Sequence, residues 1–216
     1  TCSIWKPVDI ISNDVVRLAK TAIGGDVKVG HAGTLDPFAE GILVLCFGKK
    51  TKKVSEIMAM EKEYIAQIKL GIETDTLDRT GSVYRQTDIP KLNNRIILEV
   101  FQKFTGTISQ TPPSFSALKL NGKCLYEYAR KGIRIIKKPR EITIDSICLV
   151  DYDGVDSITF KVLCNSGTYI RSLASDIAKE LGTYGYLNNL QRLRIGDYTK
   201  ENSLTLEEFL NENTKQ

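Results

Sequence analysis

Hydrophobic and polar residues follow two different periods along this chain, and each period predicts a particular kind of element. Over residues 170–181 apolar side chains recur every three or four positions and Gly182 follows, which predicts a helix with one buried face. Over residues 64–70 apolar and polar side chains alternate, which predicts a strand with one buried face. Residues 42–47 are apolar throughout and predict a buried strand.

Capping residues and apolar spacing predict further helices. One helix is expected to begin at a cap on Ser12 or Asn13 and to end at the glycine pair 24–25. Residues 49–58 and residues 91–104 also carry helical spacing. These segments therefore predict three helices in the first half of the chain.

Turn and capping residues predict the elements of the second half. Thr205 and Glu208 form a capping box, which predicts a short final helix. Residues 141–152 and residues 157–164 predict two strands joined by a turn at positions 153–154. Because strands and helices are mixed and several strands are adjacent, we expect an α+β fold with a mixed, mostly antiparallel central sheet flanked by helices.

Composition limits the classes of protein that the chain can belong to. Its 216 residues, 42% of them hydrophobic and 26% charged, suit one large domain or one domain with a modest lobe. Apolar runs are far shorter than the roughly 18 residues that span a membrane, and no secretion signal is visible. Five scattered cysteines and one histidine argue against a zinc site and predict reduced thiols, mostly in the core. These features favour a cytoplasmic protein.

Basic residues are concentrated in three clusters, although the formal net charge is only +4. Segregated clusters of this kind favour a polyanionic partner such as RNA. Each cluster taken alone is also compatible with a solvated helix face or strand edge. The clusters contain the following residues: Lys49, Lys50, Lys52 and Lys53; Arg130, Lys131, Arg134, Lys137, Lys138 and Arg140; Arg192 and Arg194.

The charged residue with the most distinctive surroundings is Asp36, which lies on a glycine-punctuated turn before the apolar run. His31, the only histidine, precedes it by five residues, and Pro37 follows it directly. Such a turn exposes a carboxylate where a ligand can reach it. The competing interpretation is an aspartate that merely favours a turn before a proline.

Five segments resemble motifs of one family in order and spacing. The segment around Asp36 resembles the catalytic signature of the TruB family of pseudouridine synthases and reads His31-Ala32-Gly33-Thr34-Leu35-Asp36-Pro37-x-Ala39-x-Gly41-x-Leu43. The other four segments are Lys6-Pro7 with Ser12; Lys62-x-Tyr64 with Leu70-Gly71-x-x-Thr74-Asp75-Thr76-x-Asp78-x-x-Gly81; Pro112-Pro113-x-x-Ser116-Ala117-x-Lys119 with Tyr126 and Arg130; and Gly167-Thr168-Tyr169-Ile170-Arg171-Ser172 with Leu190-x-Arg192-Leu193-Arg194. Asp9 stands where that family usually has glycine.

The resemblance covers about residues 6–198 and implies the pseudouridine-synthase fold. It implies a single catalytic domain over residues 1–216, with an RNA-gripping insertion at about residues 111–140. Many members of the family carry a C-terminal RNA-binding domain, for which this chain leaves no room. We therefore expect a catalytic domain by itself, and we expect it to be a monomer.

The implied activity is the isomerisation of one uridine in RNA to pseudouridine, most directly uridine 55 in the T-loop of tRNA. The reaction requires neither a cofactor nor a metal, and its partner is the T-arm stem-loop. The uridine lies inside a folded loop, so the enzyme has to flip it out and hold it in a shaped pocket with a stacking surface.

Three residues match the catalytic positions of the family. Asp36 is the implied catalytic carboxylate, either a nucleophile or a base, and the sequence leaves both roles open. Tyr64 is expected to stack on the flipped base and to lie near the C5 proton. Arg171 is expected to pair with Asp36 and to hold its carboxylate ionised and oriented.

Further positions match the substrate-binding residues of the family. Tyr169 and Leu190 are expected to line the base pocket, His31 to contact the RNA loop, and Lys52 to contact the pocket or a phosphate. Asp78 is expected in a polar network at the pocket edge. Candidates for gripping RNA phosphates through the insertion are Lys119, Tyr126, Arg130 and Arg134.

Three other functions compete with this interpretation. A guide-dependent synthase acting on another RNA is expected to be longer and to carry an extra RNA-binding domain. An RNA-folding or RNA-binding module without chemistry would have no need for the set of Asp36, Tyr64, Tyr169 and Arg171. A sugar-bond hydrolase needs a second acidic catalyst, and none is obvious in this sequence.

Overall fold

The computed structural model describes residues 1–116, 119–120, 123–124, 128, 135 and 138–214. The strands of these residues are β1 (Cys2–Lys6), β2 (Val29–His31), β3 (Glu40–Phe47), β4 (Lys62–Leu70), β5 (Ile72–Thr74), β6 (Val83–Gln86), β7 (Gly106–Gln110), β8 (Lys119–Leu120), β9 (Lys123–Cys124), β10 (Arg140–Tyr152), β11 (Ser157–Cys164), β12 (Gly185–Ile195), β13 (Tyr198–Thr199) and β14 (Leu204–Thr205). The helices are α1 (Ser12–Ala22), α2 (Val54–Ala59), α3 (Asn94–Lys103), α4 (Ile170–Glu180) and α5 (Leu206–Asn213). A 3-10 helix at Gly48–Lys53 precedes α2.

The chain divides into two compact units. The terminal unit contains Thr1–Ile65 and Leu190–Gln216, and the middle unit contains Ala66–Asn189. The strands β4 and β12 each begin in one unit and end in the other. The main sheet has ten strands of mixed direction, which confirms the predicted α+β class with a mixed central sheet.

The sheet of the terminal unit is built around β3. In the order β14-β1-β3-β12, β1 is antiparallel to β3 while β12 is parallel to it. Six consecutive residues of β3 are buried, which confirms the prediction from its apolar run. Alternate residues serve two cores: Leu43 and Leu45 pack with α1 and α5, whereas Ile42 and Val44 pack with α2.

The sheet of the middle unit follows the order β4-β11-β10-β7, with β10 antiparallel to both of its neighbours. Along β4 every second residue is buried, as the alternating pattern predicts. The helix α3 packs on this sheet through Phe101, whose ring centroid lies 5.7 Å from that of Phe160 on β11. The first residue of β12 is Gly185, where an added Cβ would lie 2.6 Å from the Cβ of Ala178 on α4. Only glycine therefore fits where β12 begins against α4.

The strongest periodic signal in the sequence corresponds to α4, which ends just before Gly182. Gly182 has φ +84° and its N–H donates to the carbonyl of Lys179, a typical glycine stop. The capping box of α5 is also present, because Thr205 and Glu208 bond reciprocally across its first turn. Both predictions are confirmed.

Three predicted helices differ from the structure. The predicted helix over residues 49–58 is a 3-10 helix at Gly48–Lys53 followed by α2 at Val54–Ala59. The cap position of α1 is Ile11, which provides no side-chain cap, so the predicted cap at Ser12 or Asn13 is wrong. The Ser12 hydroxyl is instead bonded to the backbone of Leu35, far away in sequence. The predicted helix over residues 91–104 starts later, at a side-chain cap on Asn93.

Four of the cysteines, Cys2, Cys46, Cys148 and Cys164, are free thiols. Cys46 and Cys164 are buried and Cys2 is half-buried, whereas Cys148 is exposed, so the predicted core placement holds for part of the set. No helix among the described residues is long and apolar enough to cross a membrane.

Candidate active site

Asp36 lies on the loop between β2 and β3, which we call the Asp36 loop (residues 32–39). Leu35 and Phe38, close neighbours of Asp36, are each only 3% exposed. Asp36 itself is half-buried. The loop is therefore anchored in the core on both sides of its carboxylate.

Arg192 on β12 holds the loop from one side. Its guanidinium donates to three backbone carbonyls: Nε to Ile42 at 2.7 Å, Nη1 to Thr34 at 3.2 Å and Nη2 to Gly33 at 3.1 Å. The backbone of Arg192 also passes so close to Gly41 that a Cβ there would lie 2.3 Å from the Arg192 carbonyl oxygen. Glycine at position 41 is therefore a steric requirement of this contact.

The burial of Arg192 corrects the prediction that Arg192 and Arg194 form a surface for a polyanion. Arg192 is 2% exposed and its donors are engaged by backbone. The Nη2 of Arg194 forms an ion pair with Glu61 at 2.7 Å. The guanidinium of Arg192 is therefore used inside the protein, and that of Arg194 is used in a local ion pair.

Lys6 holds the loop from a second direction. Its side chain is fully buried, and Nζ donates to the carbonyls of Pro7 at 2.7 Å, Ile10 at 2.9 Å and Pro37 at 3.3 Å. All three protons of the ammonium group are thus accounted for. Burial lowers the pKa of Lys6 to about 8, with the charge of Arg192 adding to the shift and Asp36 opposing it.

Two further residues of the N-terminal motif complete the anchoring. The Ser12 hydroxyl accepts from the N–H of Leu35 and donates to its carbonyl, both at 3.0 Å. The N–H of Asp9 donates to the carbonyl of Pro37 at 2.8 Å. Asp9 has φ +62°, a left-handed conformation that aspartate tolerates better than most residues. Aspartate can therefore occupy the position at which the family usually has glycine.

His31 ends β2 at the start of the loop. Its Nδ1 is buried and has no hydrogen-bond partner within the described residues. Burial lowers the pKa of His31, and the nearby charge of Arg192 lowers it further, against a weaker opposing hydrogen bond with the backbone of Gly33. The imidazole is therefore neutral at neutral pH, with an unused polar atom.

Three other predicted site residues of the terminal unit have different environments. Tyr64 on β4 is 8% exposed and Leu190 on β12 is 6% exposed, so both belong to the interior. Lys52 is exposed on the 3-10 helix, an environment that also fits the solvated-lysine alternative.

The middle unit places Arg171 in a buried polar network. Arg171 lies in the first turn of α4, and its Nη1 is 3.4 Å from Oδ2 of Asp78, each side chain being 6% exposed. Nη1 also donates to the carbonyl of Thr76 at 3.0 Å and Nη2 to that of Phe115 at 2.7 Å. Asp78 thus belongs to a polar network, as expected, while the pairing of Arg171 with Asp36 stays a prediction.

The loop that presents Asp78 is organised by its own threonines. Oδ1 of Asp78 accepts from the hydroxyls of Thr76 at 2.8 Å and Thr80 at 2.6 Å, and from the N–H of Thr80 at 2.9 Å. At Gly81 an added Cβ would lie 2.3 Å from the Thr76 hydroxyl oxygen. The spacing of threonine, aspartate and glycine in this motif is explained by these contacts.

Tyr169 is the residue immediately before α4 and is half-buried. Its backbone is paired with the side chain of Gln110: its N–H donates to Oε1 at 2.8 Å, and its carbonyl accepts from Nε2 at 3.1 Å. Sequence reasoning missed Gln110 because nothing in its local pattern distinguishes it from other strand residues.

The predicted RNA-gripping residues cannot be placed. Tyr126, Arg130 and Arg134 lie outside the described residues, and Lys119 lies on β8, for which the backbone alone is described. Within the described part of the chain, no group of three or more histidine, cysteine, aspartate or glutamate side chains could hold a metal ion.

Comparison with known sequences identifies the class of protein and then the family. The family model described as TruB family pseudouridylate synthase (N terminal domain) matches residues 20–170. A tRNA pseudouridine synthase B of Clostridium kluyveri is 44% identical over 211 residues, covering 98% of this chain and 72% of that protein. A tRNA pseudouridine synthase B of Hydrogenovibrio crunogenus is 42% identical over 204 residues, covering 94% of this chain and 67% of that protein. The chain is a pseudouridine synthase by class, and it belongs to the TruB family.

Solved structures agree with this fold. The chain is similar to one in a Cbf5-Nop10-Gar1 complex, with a TM-score of 0.75 and 27% identity over 97% of this chain. A chain in an H/ACA RNP bound to a substrate RNA containing 2'-deoxyuridine gives a TM-score of 0.72 and 25% identity. This chain spans about half the length of each, 53% and 52%.

Proposed function

We propose that this chain isomerises a uridine of tRNA to pseudouridine, most directly uridine 55 in the T-loop, with Asp36 as the catalytic carboxylate. The class of reaction follows from the family, and the substrate from relatives that are named tRNA pseudouridine synthase B. The catalytic assignment rests on one structural observation, the anchoring of the Asp36 loop.

That anchoring acts on the backbone of the loop. Four of its backbone carbonyls, those of residues 33, 34, 35 and 37, accept hydrogen bonds from Arg192, Ser12, Lys6 or the backbone of Asp9. Ordering a loop costs conformational entropy, which these bonds repay before any ligand binds. A carboxylate on such a loop is held in place before the reaction, as catalysis by position and electrostatics requires.

The reaction is an isomerisation and is balanced within the nucleoside. The bond from C1′ to N1 breaks, the base turns while it remains bound, and C5 forms a new bond to C1′. C5 then loses its proton and N1 gains one. Asp36 acts either as a nucleophile on the sugar or base, or as a base toward a sugar proton.

The remaining proposed roles concern the flipped base. Tyr64 stacks on it and lies near the C5 proton, and Tyr169 and Leu190 line its pocket. His31 contacts the RNA loop through its neutral imidazole, which is only partly buried. Arg171, whose orientation Asp78 supports, pairs with Asp36.

The tRNA is bound chiefly through its phosphates, by residues of the insertion and by Lys52. In this proposal Lys119, Tyr126 and Arg130 grip the T-arm, and the protein acts as a monomer in the cytoplasm. Phosphate contacts release counterions from RNA, so affinity is expected to fall steeply as salt is raised. A flat dependence of affinity on salt would count against this mode of binding.

The central experiment uses an unmodified T-arm hairpin. Wild-type protein is expected to convert one loop uridine to pseudouridine, mapped by chemical probing, in buffer that contains a chelator. Asp36→Asn is expected to bind the hairpin with similar affinity and to convert none. Asp26→Asn is the matched control, because Asp26 is an exposed aspartate of the same unit, and it should behave as wild type. Conversion by Asp36→Asn would overturn the catalytic assignment.

The same experiment separates this proposal from a guide-dependent activity. The solved chains similar to this one come from complexes described with Nop10 and Gar1 or as an H/ACA RNP. Conversion of the hairpin by the protein alone, without a guide RNA, supports the proposed function. Binding without conversion in every condition would support a binding module instead.

A further inference from the structure

The side chain of Gln110 forms a pair of hydrogen bonds with the backbone of Tyr169. Gln110 is the last residue of β7, is 2% exposed, and lies 59 positions before Tyr169 in the sequence. Its carboxamide accepts from the N–H at 2.8 Å and donates to the carbonyl at 3.1 Å. A glutamine side chain thus pairs with Tyr169 as a neighbouring strand would.

Two more contacts tie the segment after Gln110 to the first turn of α4. The Ser172 hydroxyl donates to the carbonyl of Thr111 at 2.8 Å, and Nη2 of Arg171 donates to the carbonyl of Phe115 at 2.7 Å. Ser172 is 3% exposed, so its bond is shielded from water. Residues 110–115 are therefore bonded to three of the four residues 169–172.

The pairing matters because Tyr169 is the residue at which the backbone enters α4. It caps α4 in an extended conformation, φ −99° and ψ 108°, and its side chain makes no capping bond to the helix. Its carbonyl also accepts the first helical bond, from the N–H of Leu173 at 3.0 Å. A change of backbone angle at Tyr169 would turn its ring and would also shift Arg171, two residues later.

We propose that Gln110 is a positioning residue of the active site, which fixes the backbone of Tyr169 and thereby the placement of the Tyr169 ring and the Arg171 guanidinium. The proposal rests on the proposed function, in which those two side chains serve the flipped uridine. Gln110 itself does not touch the substrate.

The variants separate the two hydrogen bonds. Gln110→Leu has a similar volume and removes both bonds, whereas Gln110→Glu in its carboxylate form keeps the acceptor for the Tyr169 N–H and loses the donor. Ser109→Ala is the matched control, since Ser109 is the exposed neighbour on the same strand. Single-turnover rate at saturating hairpin, hairpin Kd and unfolding midpoint are measured for each.

Gln110→Leu is expected to lower the single-turnover rate about 10- to 100-fold, in line with the cost of slight misplacement of catalytic groups. Its Kd should change less than threefold, Gln110→Glu should fall between Gln110→Leu and wild type, and Ser109→Ala should match wild type. In the Tyr169→Ala background Gln110→Leu should lower the rate by a smaller factor than it does in wild type, because the part of its effect that acts through the Tyr169 ring is already lost. Multiplicative rate losses, or an unchanged rate in folded Gln110→Leu, would overturn the proposal.

A second measurement does not depend on activity. Amide hydrogen exchange of Tyr169, followed by NMR, should be at least tenfold faster in Gln110→Leu than in wild type, with exchange in the centre of α4 unchanged. Unchanged exchange at Tyr169 would overturn the proposal even if the rate falls. If wild-type protein converts no RNA, the proposed function fails, and this exchange still decides whether Gln110 fixes Tyr169.

Discussion

Asp78 and Arg171 form an ion pair of 3.4 Å in which each side chain is only 6% exposed. Three hydrogen bonds from its own loop to Oδ1 stabilise the charge of Asp78. The other carboxylate oxygen, Oδ2, faces the guanidinium of Arg171. A loop between β5 and β6 thus fixes a side chain on α4. The loop thus places a negative charge beside the buried guanidinium of Arg171.

Removing the charge of Asp78 should therefore affect both stability and catalysis. Asp78→Asn keeps the shape and the acceptor oxygen but removes the negative charge that faces the buried guanidinium of Arg171, which should lower the free energy of unfolding by about 3–5 kcal/mol. Urea denaturation measures the loss, and the hairpin assay should show a lower rate in the folded fraction. Asp75→Asn, at an exposed aspartate of the same loop, should cost far less. Equal losses in the two variants would contradict the assigned role.

Arg192 and Arg194 lie on the same strand, β12, so lysine substitutions at the two positions form a matched pair of variants. Arg192→Lys keeps the charge but cannot reproduce the fork that reaches three carbonyls, so it should lose about 3 kcal/mol of stability and most of the isomerisation rate. Arg194→Lys should lose less than about 1 kcal/mol, as expected for a partly exposed ion pair. If Arg192→Lys instead weakened RNA binding with unchanged stability, the polyanion surface would be the better interpretation.

The pKa of Lys6 predicts a pH dependence of stability. Because folding lowers this pKa from 10.5 to about 8, the unfolded chain binds a proton between these values that the folded protein lacks. Wild-type stability, measured relative to Lys6→Met, should therefore rise by about 3 kcal/mol from pH 8 to pH 10.5. Urea denaturation of both proteins across this range measures the difference in their free energies of unfolding. The contributions of the other titrating groups are the same in both proteins and cancel in this difference. A constant difference would contradict the lowered pKa.

His31 can be followed directly, because it is the only histidine of the chain. Burial and Arg192 lower the pKa of His31, so the NMR titration of its imidazole should have a midpoint below 6.5. As the pH drops, the unfolded chain binds the His31 proton at a higher pH than the folded protein does. The free energy of unfolding of wild type, measured relative to His31→Gln, should therefore fall below pH 6.5. A midpoint above 6.5 would contradict the environment described for this residue.

The sequence determined much of the fold through local patterns. The period of residues 170–181 identifies α4, and the alternation of residues 64–70 identifies most of β4, since amphipathic elements carry their own signature. Short strands such as β2 and β14 have no such signature, because they are too short to show a period, and β14 also pairs with a strand at the opposite end of the chain. Local sequence patterns therefore do not predict them.

For the candidate site too, the sequence determined some features and the tertiary structure decided others. The chain itself determined which residues are candidates, since the motifs around Asp36, Tyr64 and Arg171 are strings of residues. Only the tertiary structure decided that Arg192 is an internal anchor of the Asp36 loop, and that Ser12 bonds Leu35 and does not cap α1. The physical reason is that burial and hydrogen bonding depend on partners about 20 to 160 residues away, which local residue patterns do not encode.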